Sequence, residues 1–164
     1  MNSLNHFIFS LAFCLIFLEL TPLNLFFIIL FSFVFSVLID LDHLFSKNKP
    51  WFRRRSWIQE PFGFLFLGLP IAIILSLFNK KFFLLVCIPY LTHILLDYFC
   101  VFETFPLAPF SKIKKKEGMG LFIPSSKRWE RRIKKGISEK YFLIFNFLFL
   151  LLILILKLFF SISP

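Results

Sequence analysis

Five stretches of this sequence are almost continuously apolar: roughly residues 4–20, 23–40, 62–78, 82–99 and 141–163, each 17 to 23 residues long. A helix rises about 1.5 Å per residue and the hydrocarbon core of a bilayer is about 30 Å thick, so runs of this length cross it or nearly do. Lipid offers no hydrogen bonds to the backbone, so such runs must satisfy their own N–H and C=O groups, which a helix does. The composition agrees: 59% of the 164 residues are hydrophobic and 28 are Phe, well above a soluble domain. The expected fold class is therefore all-α, an integral membrane bundle of about five transmembrane helices forming a single membrane domain over residues 1–164.

The first two blocks are separated only by Thr21 and Pro22, which predicts a tight helical hairpin. The first block lacks a basic leading region and an Ala-x-Ala-like cleavage site, so it reads as a retained helix. Lys157 interrupts the last block near its end, where a lysine can snorkel to the headgroups. The remaining charge sets orientation. Of 19 Lys and Arg residues, five lie between residues 41 and 61 and eleven between 101 and 140, against Lys80 and Lys81 in the turn at 79–81. The positive-inside rule places the two basic loops, 41–61 and 101–140, and the N-terminus in the cytoplasm. Those loops suit anionic lipid headgroups. Nucleic acid is a poor partner for the basic stretch at 112–135: Trp129 and Phe122 are its only stacking candidates, and no recognisable nucleic-acid motif is present. Cys14, Cys87 and Cys100 form no CxxC pair and read as small apolar side chains.

Polar groups in apolar blocks are costly, and each is a functional candidate. With the helices alternating in direction, His6, Asp40, Asp42, His43, Glu60, His93 and Asp97 all fall at one side of the membrane; Glu19 lies at the other. In LTHILLDYF, His93 and Asp97 are four apart and share a helical face, as a chelating pair or as a ligand with its orienting carboxylate. Asp40 and His43, three apart in SVLIDLDHLF, do likewise if helix 2 continues, with Asp42 aimed elsewhere. Mixed imidazole and carboxylate ligands suit Zn, with Mn or Fe next, rather than Ca. Each piece also has a plainer reading: the aspartates end a helix, His6 is interfacial, His93 and Asp97 are a buried hydrogen-bonded pair, and Glu60 before Pro61 marks a helix start. Arg54 and Arg55, within the Arg53–Arg55 cluster, offer forks for phosphate oxygens, as any basic loop does.

DLDH at 40–43, THILLD at 92–97 and a Pro followed by a basic stretch (Pro109, Lys112) resemble the YdjM-like membrane-bound, metal-dependent hydrolases over roughly residues 4–135. Asp40, Asp42, His43, His93 and Asp97 match that family's pattern in order, His6 matches its early His, and Glu130 resembles a Glu after the basic stretch. The family's His-Arg-Gly-x-Thr-His-Ser segment is replaced here by RRRSWIQEP, so Gln59 or Glu60 stands where a His ligand is expected, Glu60 being the better ligand. The resemblance implies a membrane-bound hydrolase whose metal site is related to that of the phospholipase C and P1 nuclease group.

Two functions follow. In one, a divalent metal held by His6, Asp40, Asp42, His43, His93 and Asp97 activates water against a phosphoester or lipid-linked substrate, with Asp42 or Glu60 taking the proton. In the other, the metal is structural and the protein is a membrane scaffold or regulator with a basic docking loop. A catalytic site keeps a coordination position open; a structural site closes it. Transport of a metal ion or proton is disfavoured, because the helices lack paired Gly/Pro breaks and acidic groups along a path.

Overall fold

The computed structural model describes residues 2–41, 57–100, 119, 121–123 and 136–162. Among these, the chain is all-helical apart from one pair of two-residue strands. Five helices carry it: α1 (Ser3–Phe17), α2 (Pro22–Ser36), α3 (Pro61–Ser76), α4 (Lys81–Phe99) and α5 (Glu139–Ile162). They alternate in direction, so the starts of α1, α3 and α5 and the ends of α2 and α4 gather at one end of the bundle. α1 packs against α2, α4 and α5, and α4 packs against α1, α2 and α3. α5 lies along α1 and leaves most of its surface open.

α4 and α5 are long and apolar enough to cross a membrane; α1, α2 and α3 are shorter. The expected first two helices, 4–20 and 23–40, were too long. α1 stops at Phe17 because Leu18 turns extended, and Thr21, restricted by the proline after it, caps α2 by accepting the N–H of Asn24 on its side chain. α2 stops at Ser36, and after Val37 the chain tightens into a 3-10 segment, Leu38–Leu41, which carries Asp40. The basic 41–61 and 101–140 stretches lie largely outside the described residues.

The small and polar residues of the first hairpin form its seam. Ser10 Oγ donates to Ser36 Oγ at 3.1 Å, Ser36 Oγ bonds the Ser32 carbonyl, and Ser32 Oγ reaches Cys14 Sγ at 3.9 Å, with Ala12 fully buried beside them. Without water to squeeze out, helices in lipid associate through such close packing and hydroxyl bonds. At the opposite end, Glu19 and Lys81 pair across 3.6 Å in the open, which offsets part of the positive charge of the 79–81 turn. An exposed pair of this kind contributes about 0–1 kcal/mol.

α3 holds a π-helical turn at Phe64–Gly68, where the Leu69 N–H reaches back to the Phe64 carbonyl. Pro70 follows it and cannot donate an N–H of its own, and the wider turn accommodates that break in the ladder. Pro89 makes a similar break in α4, where Thr92 Oγ1 donates to the carbonyls of Ile88 and Pro89 at 2.8 and 3.1 Å. The entry to α3 is fixed by close approach. A Cβ on Gly63 would overlap the carbonyl oxygens of Trp57 and Ile58, and the Tyr90 hydroxyl donates to that same Ile58 carbonyl at 2.6 Å. Beyond α4, Met119 and Leu121 donate to the carbonyls of Tyr98 and Phe99. Phe122–Ile123 then pairs in parallel with Ile137–Ser138, which leads into α5. Within the expected basic 101–140 loop, the described residues 121–123 and 137–138 are thus tied to the bundle.

Gly63→Ala is expected to lower the thermal midpoint of the detergent-solubilised protein, followed by helical circular dichroism, by the equivalent of about 1–3 kcal/mol, because backbone rather than side chain must move. Gly68→Ala meets only the rings of Phe64 and Tyr90, which can shift, and is expected to cost less. Equal midpoints for Gly63→Ala and wild type would contradict the packing described.

Candidate metal centre

His6, one turn into α1, and His93 and Asp97, in the last turns of α4, converge at the gathered end of the bundle. His6 and His93 are fully buried and Asp97 is 5% exposed. His6 Nε2 lies 3.2 Å from Asp97 Oδ1, and His93 Nε2 lies 3.4 Å from Asp97 Oδ2. The imidazoles stack with centroids 4.2 Å apart and planes 25° from parallel. One ligand atom from each of the three residues falls within 4.8 Å of the others.

These separations are long for charge-assisted hydrogen bonds, which run about 2.7–2.9 Å. Neither ring nitrogen of His6 makes a hydrogen bond among the described residues. They do match the edge of a metal's coordination shell: ligands about 2.0–2.1 Å from zinc in a tetrahedron stand about 3.3 Å apart. Two buried imidazoles, each at about that distance from one oxygen of a buried carboxylate, are a donor set that could hold zinc, manganese or iron, and the fit rests on an imidazole that makes no hydrogen bond among the described residues.

His93 is oriented from behind. Its Nδ1 lies 2.8 Å from the carbonyl oxygen of Ser36. A carbonyl can only accept, so Nδ1 carries the proton and the Nε2 lone pair faces the cluster, which is the arrangement metal-binding histidines take. That carbonyl is available because α2 ends there. The last carbonyls of a helix have no partner in their own helix, and that of Ser36 turns to α4 instead.

Glu60 is fully buried. It holds the N-cap position of α3 but makes no side-chain cap; its Oε2 accepts the Tyr98 hydroxyl at 2.7 Å. The helix-start reading of Glu60 therefore gives its position but not its partner. It lies outside the three-residue group, next to it through Tyr98, the neighbour of Asp97. Gln59, 1% exposed, donates to the carbonyl of Ile39 at 3.5 Å, tying the start of α3 to the 3-10 segment that carries Asp40. Asp40 is on that segment at the same end of the bundle, past the end of α2, and its expected pairing with His43 lies outside the described residues. Asp42, His43, Arg54, Arg55 and Glu130 lie outside the described residues. Reading the sequence did not find Ser36, Tyr98, Asn5 or Asn146. Asn146 had a signal, being the one amide inside the 141–163 block. Ser36 had none, because what it contributes is backbone.

Against this geometry, the chain matches the family model described as YdjM inner membrane protein over residues 1–162. The chain belongs to the YdjM inner membrane protein family. Membership and the apolar helices together make it a membrane protein. No curated protein and no solved structure matches it.

Two measurements test the centre. Elemental mass spectrometry of the detergent-purified YdjM-family protein is expected to find about one transition-metal ion per chain, lost in His93→Ala and in Asp97→Asn; a well-folded, metal-free wild type would rule the centre out. Tyr98→Phe, which deprives the buried Glu60 carboxylate of its hydroxyl donor, is expected to lower stability by about 1–3 kcal/mol in thermal or denaturant unfolding.

Proposed function

We propose that this protein is a multi-pass membrane hydrolase, dependent on a divalent metal, that acts on a phosphoester or lipid-linked substrate at the cytoplasmic face of the membrane. The observation that carries the reading is the buried His6, His93 and Asp97 group, three ligand side chains from two helices with the ring of His93 held for coordination by Ser36. Three protein ligands are the usual complement of a catalytic zinc site. Bound there, the metal would supply Lewis acidity toward a phosphoryl oxygen and toward water. In this reading, one or two ions are bound: His6, His93 and Asp97 hold the first, and Asp40, Asp42 and His43, from the chain beyond α2, are further ligands that serve a second. Glu60, kept in place by Tyr98, or Asp42 accepts the proton released by the attacking water. Arg54 and Arg55 grip the substrate phosphate, and Glu130 closes the set. All five helices span the bilayer, with the N-terminus in the cytoplasm, as the distribution of Lys and Arg supports.

A second reading has support of its own in the burial of all three ligand side chains: the metal is structural, and the protein is a membrane scaffold or regulator that docks through its basic loop.

Hydrolysis of a panel of phosphomonoesters, phosphodiesters and lipid-linked phosphates by the detergent-purified protein separates the two. The hydrolase predicts turnover that is abolished by chelation, restored by Zn²⁺, absent in His93→Ala and reduced at least about 100-fold in Glu60→Gln, the span of a lost general base. A protein that carries its metal in full yet turns over none of these substrates would favour the scaffold.

A further inference from the structure

We infer that α5, which supplies no ligand, is nonetheless part of the metal centre: Asn146, acting through Asn5, is the positioning residue for His6. The inference rests on the metal-centre reading and extends it to a helix outside the motif-bearing part of the chain.

His93 is anchored directly, by the Ser36 carbonyl. His6 is not; neither of its ring nitrogens makes a hydrogen bond among the described residues. Ligand imidazoles are ordinarily steered by a partner on the second nitrogen. Lacking one, His6 depends on where its backbone is put, and hence on the rotation and height of α1. Its neighbour sets both. Asn5, 1% exposed, donates from Nδ2 to the carbonyl of Glu139 at 3.3 Å and accepts on Oδ1 from Asn146 Nδ2 at 3.1 Å. Glu139 and Asn146 are about two helical turns apart on one face of α5, the carbonyl of the first and the side-chain amide of the second meeting the Asn5 amide from two directions. A side chain gripped at two such points fixes its helix against sliding and against turning. The rest of the α1–α5 contact cannot do this as sharply. It is apolar, with Phe9 on Phe142, Phe13 on Phe149 and Ile153 in one cluster with Ala12 and Leu15, and such contacts are less directional than a pair of hydrogen bonds. Successive helix residues point about 100° apart, so holding Asn5 against α5 turns His6 toward α4, where His93 and Asp97 wait. Asn146 itself is fully buried in an otherwise apolar stretch of helix, an expense in lipid that packing alone does not explain.

The test is Co²⁺ titration of the full-length protein in detergent, read by the ligand-field absorption bands of the bound ion. Asn146→Leu is expected to weaken Co²⁺ binding about 10-fold or more, the usual effect of losing support behind a ligand, and to alter the bands. Asn146→Gln, which keeps the amide, is expected to recover much of the loss. Ile153→Ala, on the same buried face of α5 but away from Asn5, is expected to lower the thermal midpoint and leave affinity and spectrum unchanged. Asn5→Leu combined with Asn146→Leu should be no weaker than Asn5→Leu alone. If Asn146→Leu does not fold, Asn146→Ser serves in its place. Wild-type affinity and bands in the Asn146 variant, or equal weakening by Ile153→Ala, would overturn the positioning role while leaving the centre standing. A wild type that binds no Co²⁺ would overturn both.

Discussion

A carboxylate buried among apolar helices is the constraint that organises this molecule. Asp97 sits 5% exposed in a helix that is otherwise long and greasy enough to cross a bilayer, and an isolated charge there would cost several kcal/mol or more. What surrounds it answers that cost. One imidazole comes from the same helix a turn earlier and another from the first turns of α1, each within 3.2–3.4 Å of a different carboxylate oxygen. Such an assembly requires α1 and α4 to be neighbours running in opposite directions, with α2 ending level with His93. The serine seam of the first hairpin and the Asn5 clamp on α5 are the contacts that hold α1 in that relation to the others.

The gathered end of the bundle is built in two layers. Beneath lie His6, His93 and Asp97. Alongside runs a second buried carboxylate, Glu60, brought in by the tight Trp57–Gln59 turn, the close contact at Gly63 and the Tyr98 hydroxyl. Two carboxylates held by different partners, one between imidazoles and one on a phenol, are chemically distinct: the first belongs to a group that could hold a cation, the second is fixed by the Tyr98 hydroxyl. That division suits a site where binding an ion and moving a proton fall to separate groups. α1 and α2, at about 22 Å each, are shorter than the about 30 Å of hydrocarbon in a bilayer.

The sequence exposed the buried polar group and concealed its supports. Blocks of apolar residues separated by charge announced the helices, and the fourfold spacing of His93 and Asp97, with His6 at the head of the first block, announced a cluster, since ionisable groups have little other reason to lie in such runs. Boundaries were less legible: α2 was expected to run to residue 40 and stops at 36, because a hydroxyl seam and a carbonyl directed at a histidine are tertiary facts. Glu60 read equally as a cap and as a ligand, and its tie to Tyr98 joins elements 38 residues apart. The last helix looked generic because its one informative side chain, Asn146, acts on a partner 141 positions away.

The anchor of His93 has a consequence of its own. It is a main-chain oxygen, so no exchange of side chain at position 36 can remove it. A serine there contributes its hydroxyl to the hairpin seam, while the carbonyl would be offered by any residue. What the anchor does depend on is where the helix stops. An added or deleted residue in α2 would swing a different carbonyl, about 100° around the axis, toward the ring. The centre is therefore robust to spelling and fragile to counting: it is encoded in the length of a helix more than in the identity of the residue that ends it.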